Sequence, residues 1–155
     1  IIGEDGRLRI TGRKKDVIII HGRNIWPQDL EHLAEELPEI RIGDACAFSI
    51  ETPNRTELAV MVVQYRELNA AKRTECIHRL QGVIREQFAI DCFVELVSPR
   101  TLPRTSSGKL SRSKTREEFL NRNNVAQLFH SRNGSAETRP QQPRRQADPC
   151  GTLLH

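Results

Sequence analysis

No stretch of this 155-residue chain is apolar for the roughly 20 consecutive residues that a helix needs to cross a bilayer, so the sequence offers no helical membrane span. Its opening, Ile1-Ile2-Gly3, has neither a Met nor the character of a secretory signal, and the chain is expected to be part of something longer. Four cysteines, Cys46, Cys76, Cys92 and Cys150, show no C-x-x-C spacing and no patterned His beside them. That excludes the usual zinc frameworks and leaves reduced, partly buried thiols as the expectation. Acidic residues are missing where they matter most. The formal net charge is only +4, yet residues 1–98 carry 13 basic and 16 acidic side chains, while residues 99–116 carry six basic and none acidic. The positive field is local, and an anion there would meet little repulsion.

The length suits one ordinary domain with a modest core. Glu4-Asp5-Gly6-Arg7 reads as a turn between Ile1-Ile2 and residues 8–10, and the β-branched run 17–20 reads as a strand, together a small antiparallel ribbon. Pro27 starts a helix in which Leu30, Leu33, Ala34 and Leu37 fall at i, i+3, i+4 and i+7, until Pro38 ends it. Residues 45–50 and 58–63 form a hairpin with a loop too long for a two-residue turn, and the unbroken apolar run 58–63 predicts a central strand covered on both faces. A long helix from about Asn69 carries Ile77, Leu80, Ile84 and Phe88 on one side. Residues 92–97 are the next strand, and 114–120 a short closing helix. The fold class is α+β: a ribbon plus a mainly three-stranded sheet with packed helices, spanning 1–121. Residues 122–155, basic and rich in Pro, Gln and Arg, are expected to be a disordered tail, with one amphipathic turn at Val125, Leu128 and Phe129.

The strand at 92–97 delivers the chain to Leu102-Pro103-Arg104-Thr105-Ser106-Ser107-Gly108-Lys109-Leu110-Ser111-Arg112. Pro103 and Gly108 mark a loop, Ser106 and Ser107 add small hydrogen-bonding groups, and Lys109 stands at the tip. A lysine so placed can follow charge developing on a phosphoryl or carboxylate oxygen. A nucleotide P-loop is excluded, because that motif needs a Gly where Pro103 stands and a Ser or Thr where Leu110 stands. Taken alone, a Ser/Gly/Lys loop is usually just a solvated turn.

A second segment changes the balance: Thr11-Gly12-Arg13-Lys14-Lys15-Asp16-Val17-Ile18-Ile19-Ile20-His21-Gly22-Arg23-Asn24-Ile25-Trp26-Pro27-Gln28-Asp29-Leu30-Glu31. With Pro103-Arg104-Thr105-Ser106-Ser107-Gly108-Lys109 about eighty residues later, it resembles the C-terminal domain of the adenylate-forming superfamily. That superfamily holds acyl-CoA synthetases, fatty-acyl-AMP ligases, peptide-synthetase adenylation domains and luciferases. Residues 1–121 carry the resemblance, and the form of both motifs is most similar to the fatty-acyl-AMP ligases.

The resemblance implies a small domain that closes over a large N-terminal adenylation domain and then rotates for a second half-reaction. Lys109 would be catalytic, contacting the carboxylate and α-phosphate electrostatically as the mixed anhydride forms. Arg13, Gly22 and Gly108 would be the cofactor-binding positions, Gly22 lying against the phosphopantetheine channel, and Gly12 with Arg13 would form the hinge. ATP and Mg²⁺ would be held mainly by the N-terminal domain, with no metal ligand in this chain. The other partners implied are a fatty acid and the phosphopantetheine of an acyl carrier protein, or CoA, in the cytoplasm. Many CoA-ligating members carry a lysine in the run after the hinge where this chain has Ile19, which speaks against ordinary CoA chemistry. His21 has no partner in the sequence for acid–base work, and Trp26 reads as packing. An acyl-CoA synthetase domain is the nearest alternative, and a non-enzymatic basic module binding nucleic acid is a more distant one. The chain by itself is expected to be inactive, because it lacks the adenine pocket and acyl tunnel.

Overall fold

The structure, a computed structural model, describes residues 16–128. Strands β1 (Ile18–Ile20) and β2 (Arg23–Ile25) pair antiparallel, with Ile18 opposite Ile25 and Ile20 opposite Arg23. Only His21 and Gly22 separate them, with φ of 51° and 74°. A two-residue hairpin needs positive φ at both central positions so that the turn matches the twist of its strands, and Gly22 meets that need without steric cost. The ribbon is thus built from residues 18–25. The turn expected over Glu4, Asp5, Gly6 and Arg7 lies outside the described residues.

Helix α1 (Pro27–Glu35) follows at once. Pro27 takes its first position, where a missing N–H costs nothing, and half-buried Trp26 is the cap residue. Leu30, Leu33 and Ala34 are buried as the spacing predicts, while Leu37 packs against the core just beyond the helix end. Strands β3 (Ala45–Glu51), β4 (Glu57–Gln64) and β5 (Cys92–Val97) form the main sheet in the order β3-β4-β5. The β3–β4 hairpin is antiparallel and β4–β5 is parallel. Parallel neighbours need a long crossover, supplied here by α2 (Ala70–Phe88). Asn69 caps that helix by accepting from the Ala71 and Lys72 amides, and Ala89 closes it in the left-handed conformation at φ 53°.

The side chains of β4 explain its central place. Leu58 through Gln64 are all buried, because the sheet is covered on both faces. One face receives α1, α2 and the ribbon, whose Ile18, Ile20 and Ile25 join Met61, Leu80 and Ile84 in the larger core. The other face receives α3 (Arg112–Arg122), whose Phe119 is wholly buried. Its ring meets those of Phe48 and Phe93 edge-on, each at 5.7 Å. Val125 and Leu128, in the helical turn over 125–128, pack against this second core; Phe129 lies outside the described residues. Cys46, Cys76 and Cys92 are buried, and burial pushes the Cys46 thiol up to about 11, so Cys46 is inert packing at neutral pH. Cys150 is outside the described residues.

One ion pair joins three elements across the sheet. Arg112, at the start of α3, grips Glu31 of α1 at 2.8 and 2.9 Å, and Glu31 also accepts the Ala47 amide of β3 at 2.9 Å. Asp16 stands 3.5 Å from the same guanidinium. Burial pushes the Glu31 carboxyl above its usual range, with Arg112 and the Ala47 amide drawing it back down. A carboxyl whose folded pKa exceeds its unfolded value binds more protons when folded, so stability is complete below the unfolded pKa and declines as pH rises through the folded one.

Arg112→Met removes the strongest downward influence on Glu31 and is expected to lose about 3 kcal/mol at pH 7.5 and to recover part of it at pH 5, measured by urea unfolding. An equal loss at both pH values would refute this electrostatic account. Phe119→Ala, which empties the centre of the second core, should cost about 4 kcal/mol in the same assay at any pH.

Candidate functional site

The lysine loop is a structured turn. The Gly108 amide donates to the Thr105 carbonyl at 2.9 Å and the Thr105 amide to the Lys109 carbonyl at 2.8 Å. Arg104 and Leu110 then form an isolated antiparallel bridge, closed below by the Ser111 amide on the Pro103 carbonyl at 2.9 Å. This is the three-residue hairpin turn whose last position is left-handed, and Gly108 fills it with φ 80°. Lys109 follows directly, exposed, on a backbone hydrogen-bonded on both sides.

Two side chains that sequence reasoning overlooked hold the loop in place. Gln64, the last residue of β4, is buried and uses both ends of its amide. Its Nε2 donates to Asp44 Oδ1 at 2.7 Å, and its Oε1 accepts the Leu102 amide at 3.0 Å. Leu102 is thereby seated in the second core at the root of the loop. Arg104 then acts as a strut, Nη1 donating to the Gly108 carbonyl at 3.0 Å and Nη2 to the Gly43 carbonyl at 2.9 Å. The only advance signal for Gln64 was its position as the polar residue ending an apolar run. Arg104 was visible only as one more cation of the loop.

Three-dimensional placement also narrows the positive field read from the sequence. Arg112 belongs to the basic run in sequence, but in space it is neutralised by Glu31 and Asp16. Arg116 donates to the Ser49 carbonyl at 3.0 Å. The charge left to meet a ligand is carried by Lys109, by exposed Lys114 and by the arginines before them.

Gly22 sits elsewhere. Its turn belongs to the ribbon, which is anchored by the Ile19 amide on Glu57 Oε2 at 2.8 Å and by Arg23 Nη1 on the Phe88 carbonyl at 2.8 Å. Glu57 opens β4 and Gln64 ends it, so the ribbon and the lysine loop attach at opposite ends of one strand, about 23 Å apart by strand rise. The structure therefore brings Gly108 and Lys109 together and keeps Gly22 well away from both. A Cβ on Gly22 or on Gly108 would meet nothing within 4 Å in this chain. His21 and Ile19 are exposed, Ile19 by 50%. Gly12 and Arg13, expected as hinge and nucleotide contact, lie outside the described residues.

An exposed ammonium on a braced turn suits electrostatic stabilisation of an anion. Among the described residues no group of three His, Cys, Asp or Glu is placed to hold a metal ion. No described helix is long and apolar enough to cross a membrane.

Known proteins give the fold its context. No family model matches the chain. It is 45% identical over 117 residues to a provisionally named acyl-CoA synthetase of Caulobacter vibrioides, a match covering 75% of this chain and 20% of that protein. It is 37% identical over 122 residues to a medium-chain-fatty-acid–[acyl-carrier-protein] ligase of Moorena producens, covering 76% of this chain and 20% of that one. Among solved structures, one from a study of fatty acyl-adenylate ligases of E. coli and L. pneumophila superposes with a TM-score of 0.65 at 40% identity, covering 82% of this chain and 22% of the other. The chain thus spans about a fifth of the length of the curated relatives it matches. With the ribbon, the three-stranded sheet and the anchored lysine turn all in place, the chain belongs to the adenylate-forming ligase superfamily, as its C-terminal portion.

Proposed function

We propose that this chain is the mobile C-terminal domain of an ATP-dependent fatty-acyl-AMP ligase, which adenylates a fatty acid, releases pyrophosphate and passes the acyl group to the phosphopantetheine of an acyl carrier protein. The observation that carries the proposal is the separation of the two glycine-bearing turns. A domain with Lys109 at one end of β4 and Gly22 at the other can present either end, but not both, to a single cleft in a neighbouring domain. Two half-reactions sharing one cleft require such an exchange.

In the first step Lys109 brings a positive charge to the carboxylate and α-phosphate oxygens. Its turn is hydrogen-bonded before the ligand arrives, so little reorganisation accompanies the charge that develops there. In the second step Gly22 faces the acyl carrier. Its bare backbone leaves a narrow passage open for the phosphopantetheine arm, and the open space around it in this chain is consistent with a neighbour supplied from outside. Hinge motion at Gly12 and Arg13, the approach of Arg13 to the nucleotide, and the binding of ATP and Mg²⁺ by a partner N-terminal domain belong to the same reading, as does a cytoplasmic setting. In this reading the Mg²⁺ ligands come from the partner domain, since among the described residues no group of three His, Cys, Asp or Glu is placed to hold a metal ion. On this reading the chain is inactive without its partner domain.

A specific observation favours a second reading, transfer to CoA: the 45% identical relative bears an acyl-CoA synthetase name. Against it stands Ile19, a half-exposed aliphatic side chain on the ribbon where CoA-ligating members of the family often carry a lysine.

In the protein that carries both domains, Lys109→Ala should lower acyl-adenylate formation by about 10²–10³-fold while leaving thermal stability unchanged, and undiminished pyrophosphate exchange would refute the assignment. Gly22→Asn keeps a residue that tolerates the left-handed turn but adds bulk. It should leave adenylate formation intact and slow acyl transfer to a loaded carrier protein. Offering free CoA in place of the carrier separates the two acceptors, since rapid thioester formation with CoA would select the second reading.

A further inference from the structure

A cavity of about 340 Å³ opens beside the root of the lysine loop, lined by Arg41, Arg66, Arg100 and Arg104 together with Asp44 and Gln64. We propose that it is a binding site for the phosphate groups of a small molecule, carrying at least two phosphates, that is separate from the contacts of Lys109.

Four arginines and a single carboxylate line the cavity, and that carboxylate, Asp44, already accepts from Gln64 Nε2 at 2.7 Å. Among the described residues, Arg41, Arg66 and Arg100 have no carboxylate within ion-pair distance, whereas Arg79, Arg85, Arg112 and Arg122 elsewhere are each paired. Several like charges gathered around a concavity without counter-charge repel one another, and a polyanion relieves that repulsion. Guanidinium forks are matched to phosphate oxygens, which they bind in pairs of parallel hydrogen bonds.

Arg100 has φ 63°, the left-handed region that a non-glycine side chain occupies at a cost. It is held there by a tight turn in which Thr101 Oγ1 donates to the Ser98 carbonyl at 2.6 Å. The strained turn puts Arg100 on the cavity wall. A volume near 340 Å³ is at the small end of ligand pockets, matching a diphosphate group with or without part of an attached nucleoside. Ile42, 87% exposed at the rim, offers an apolar surface to such an attachment.

Arg104 links this site to the lysine loop. Its Nη1 and Nη2 each donate to a carbonyl, of Gly108 and of Gly43, so an anion in the cavity would meet a group already oriented. The binding itself does not depend on the adenylation chemistry proposed above, and it is tested without it.

The test is a titration of the 155-residue chain at constant ionic strength, followed by amide chemical shifts, with sodium pyrophosphate, ADP and adenosine as separate probes. Pyrophosphate is expected to give saturable shifts at Gly43, Asp44, Leu102 and Arg104, with a Kd of about 1 mM or below. The double variant Arg66→Gln/Arg100→Gln, at two exposed positions, should weaken binding at least about tenfold. Lys109→Ala should leave the affinity unchanged, which a site on the lysine loop would not. ADP binding more tightly than pyrophosphate, with added shifts at Ile42, identifies a nucleotide as the source of the phosphates; equal affinity identifies inorganic diphosphate. Shifts that fail to saturate, affinity indifferent to the double variant, or adenosine binding as well as ADP would each overturn the proposal.

Discussion

The lysine loop depends on one buried amide. Gln64 ends the most deeply buried strand among the described residues, where a polar side chain with unmet hydrogen bonds would cost on the order of 2 kcal/mol. It avoids that cost by bonding in two directions, to Asp44 before β3 and to the Leu102 amide after β5. Backbone bonds reinforce the junction, since the Gln64 amide donates to the Asp44 carbonyl at 2.8 Å and the Tyr65 amide to the Val97 carbonyl at 2.9 Å. Three segments distant in sequence are thereby fixed at one end of the sheet. The lysine turn grows from that junction, and so does the arginine-lined cavity. An apolar residue at position 64 would leave the Leu102 amide buried without its acceptor and the loop without its root.

The other end of the sheet is held by a different kind of contact. There the ribbon is attached through exposed hydrogen bonds, the Ile19 amide to Glu57 and Arg23 to the Phe88 carbonyl, together with its three buried isoleucines. Apolar burial gives the ribbon its stability and leaves its turn projecting freely. The lysine end is therefore locked by buried polar bonds, which specify one geometry, and the glycine end by packing, which leaves the backbone of the turn uncovered. That difference fits the two tasks proposed for them. Placing a charge against a developing anion demands fixed geometry, whereas lining a passage demands an absence of side chain.

Much of this was legible in the sequence because it rested on periodicity. The unbroken apolar run at 58–63 announced a strand covered on both faces, and the spacing of Leu30, Leu33 and Ala34 announced the buried stripe of α1. The lysine turn was legible through Gly108, whose left-handed conformation the turn requires. The second ribbon strand was missed because Arg23-Asn24-Ile25 has no β-branched run, and its pairing is set instead by the positive φ of His21 and Gly22. The Glu31–Arg112 pair and the Gln64 clamp were equally hidden. Their partners stand 81 and 38 residues apart, and no local pattern records a contact of that range. For the same reason the basic run at 99–116 overstated the field available to a ligand, since the acid that quenches Arg112 comes from another helix.

The turn itself is not what makes the site. The β3–β4 loop has the same hydrogen bonds, the Arg55 amide to the Thr52 carbonyl at 2.9 Å and the Thr52 amide to the Thr56 carbonyl at 2.8 Å, with Arg55 left-handed at φ 57° where the other turn has Gly108. One hairpin geometry thus occurs twice, and the active site proposed above uses only one of the two copies. What separates them is support and company. The 52–56 turn is tied within itself, by Thr52 and Thr56 at 2.8 Å between hydroxyls. The 105–109 turn is tied outward, through Arg104 to Gly43 and through Leu102 to Gln64, into the body of the fold. An exposed charge on a self-contained turn moves with that turn. A charge on a turn braced from two sides is carried by the whole domain, and a rotation of the domain would deliver it to a fixed place.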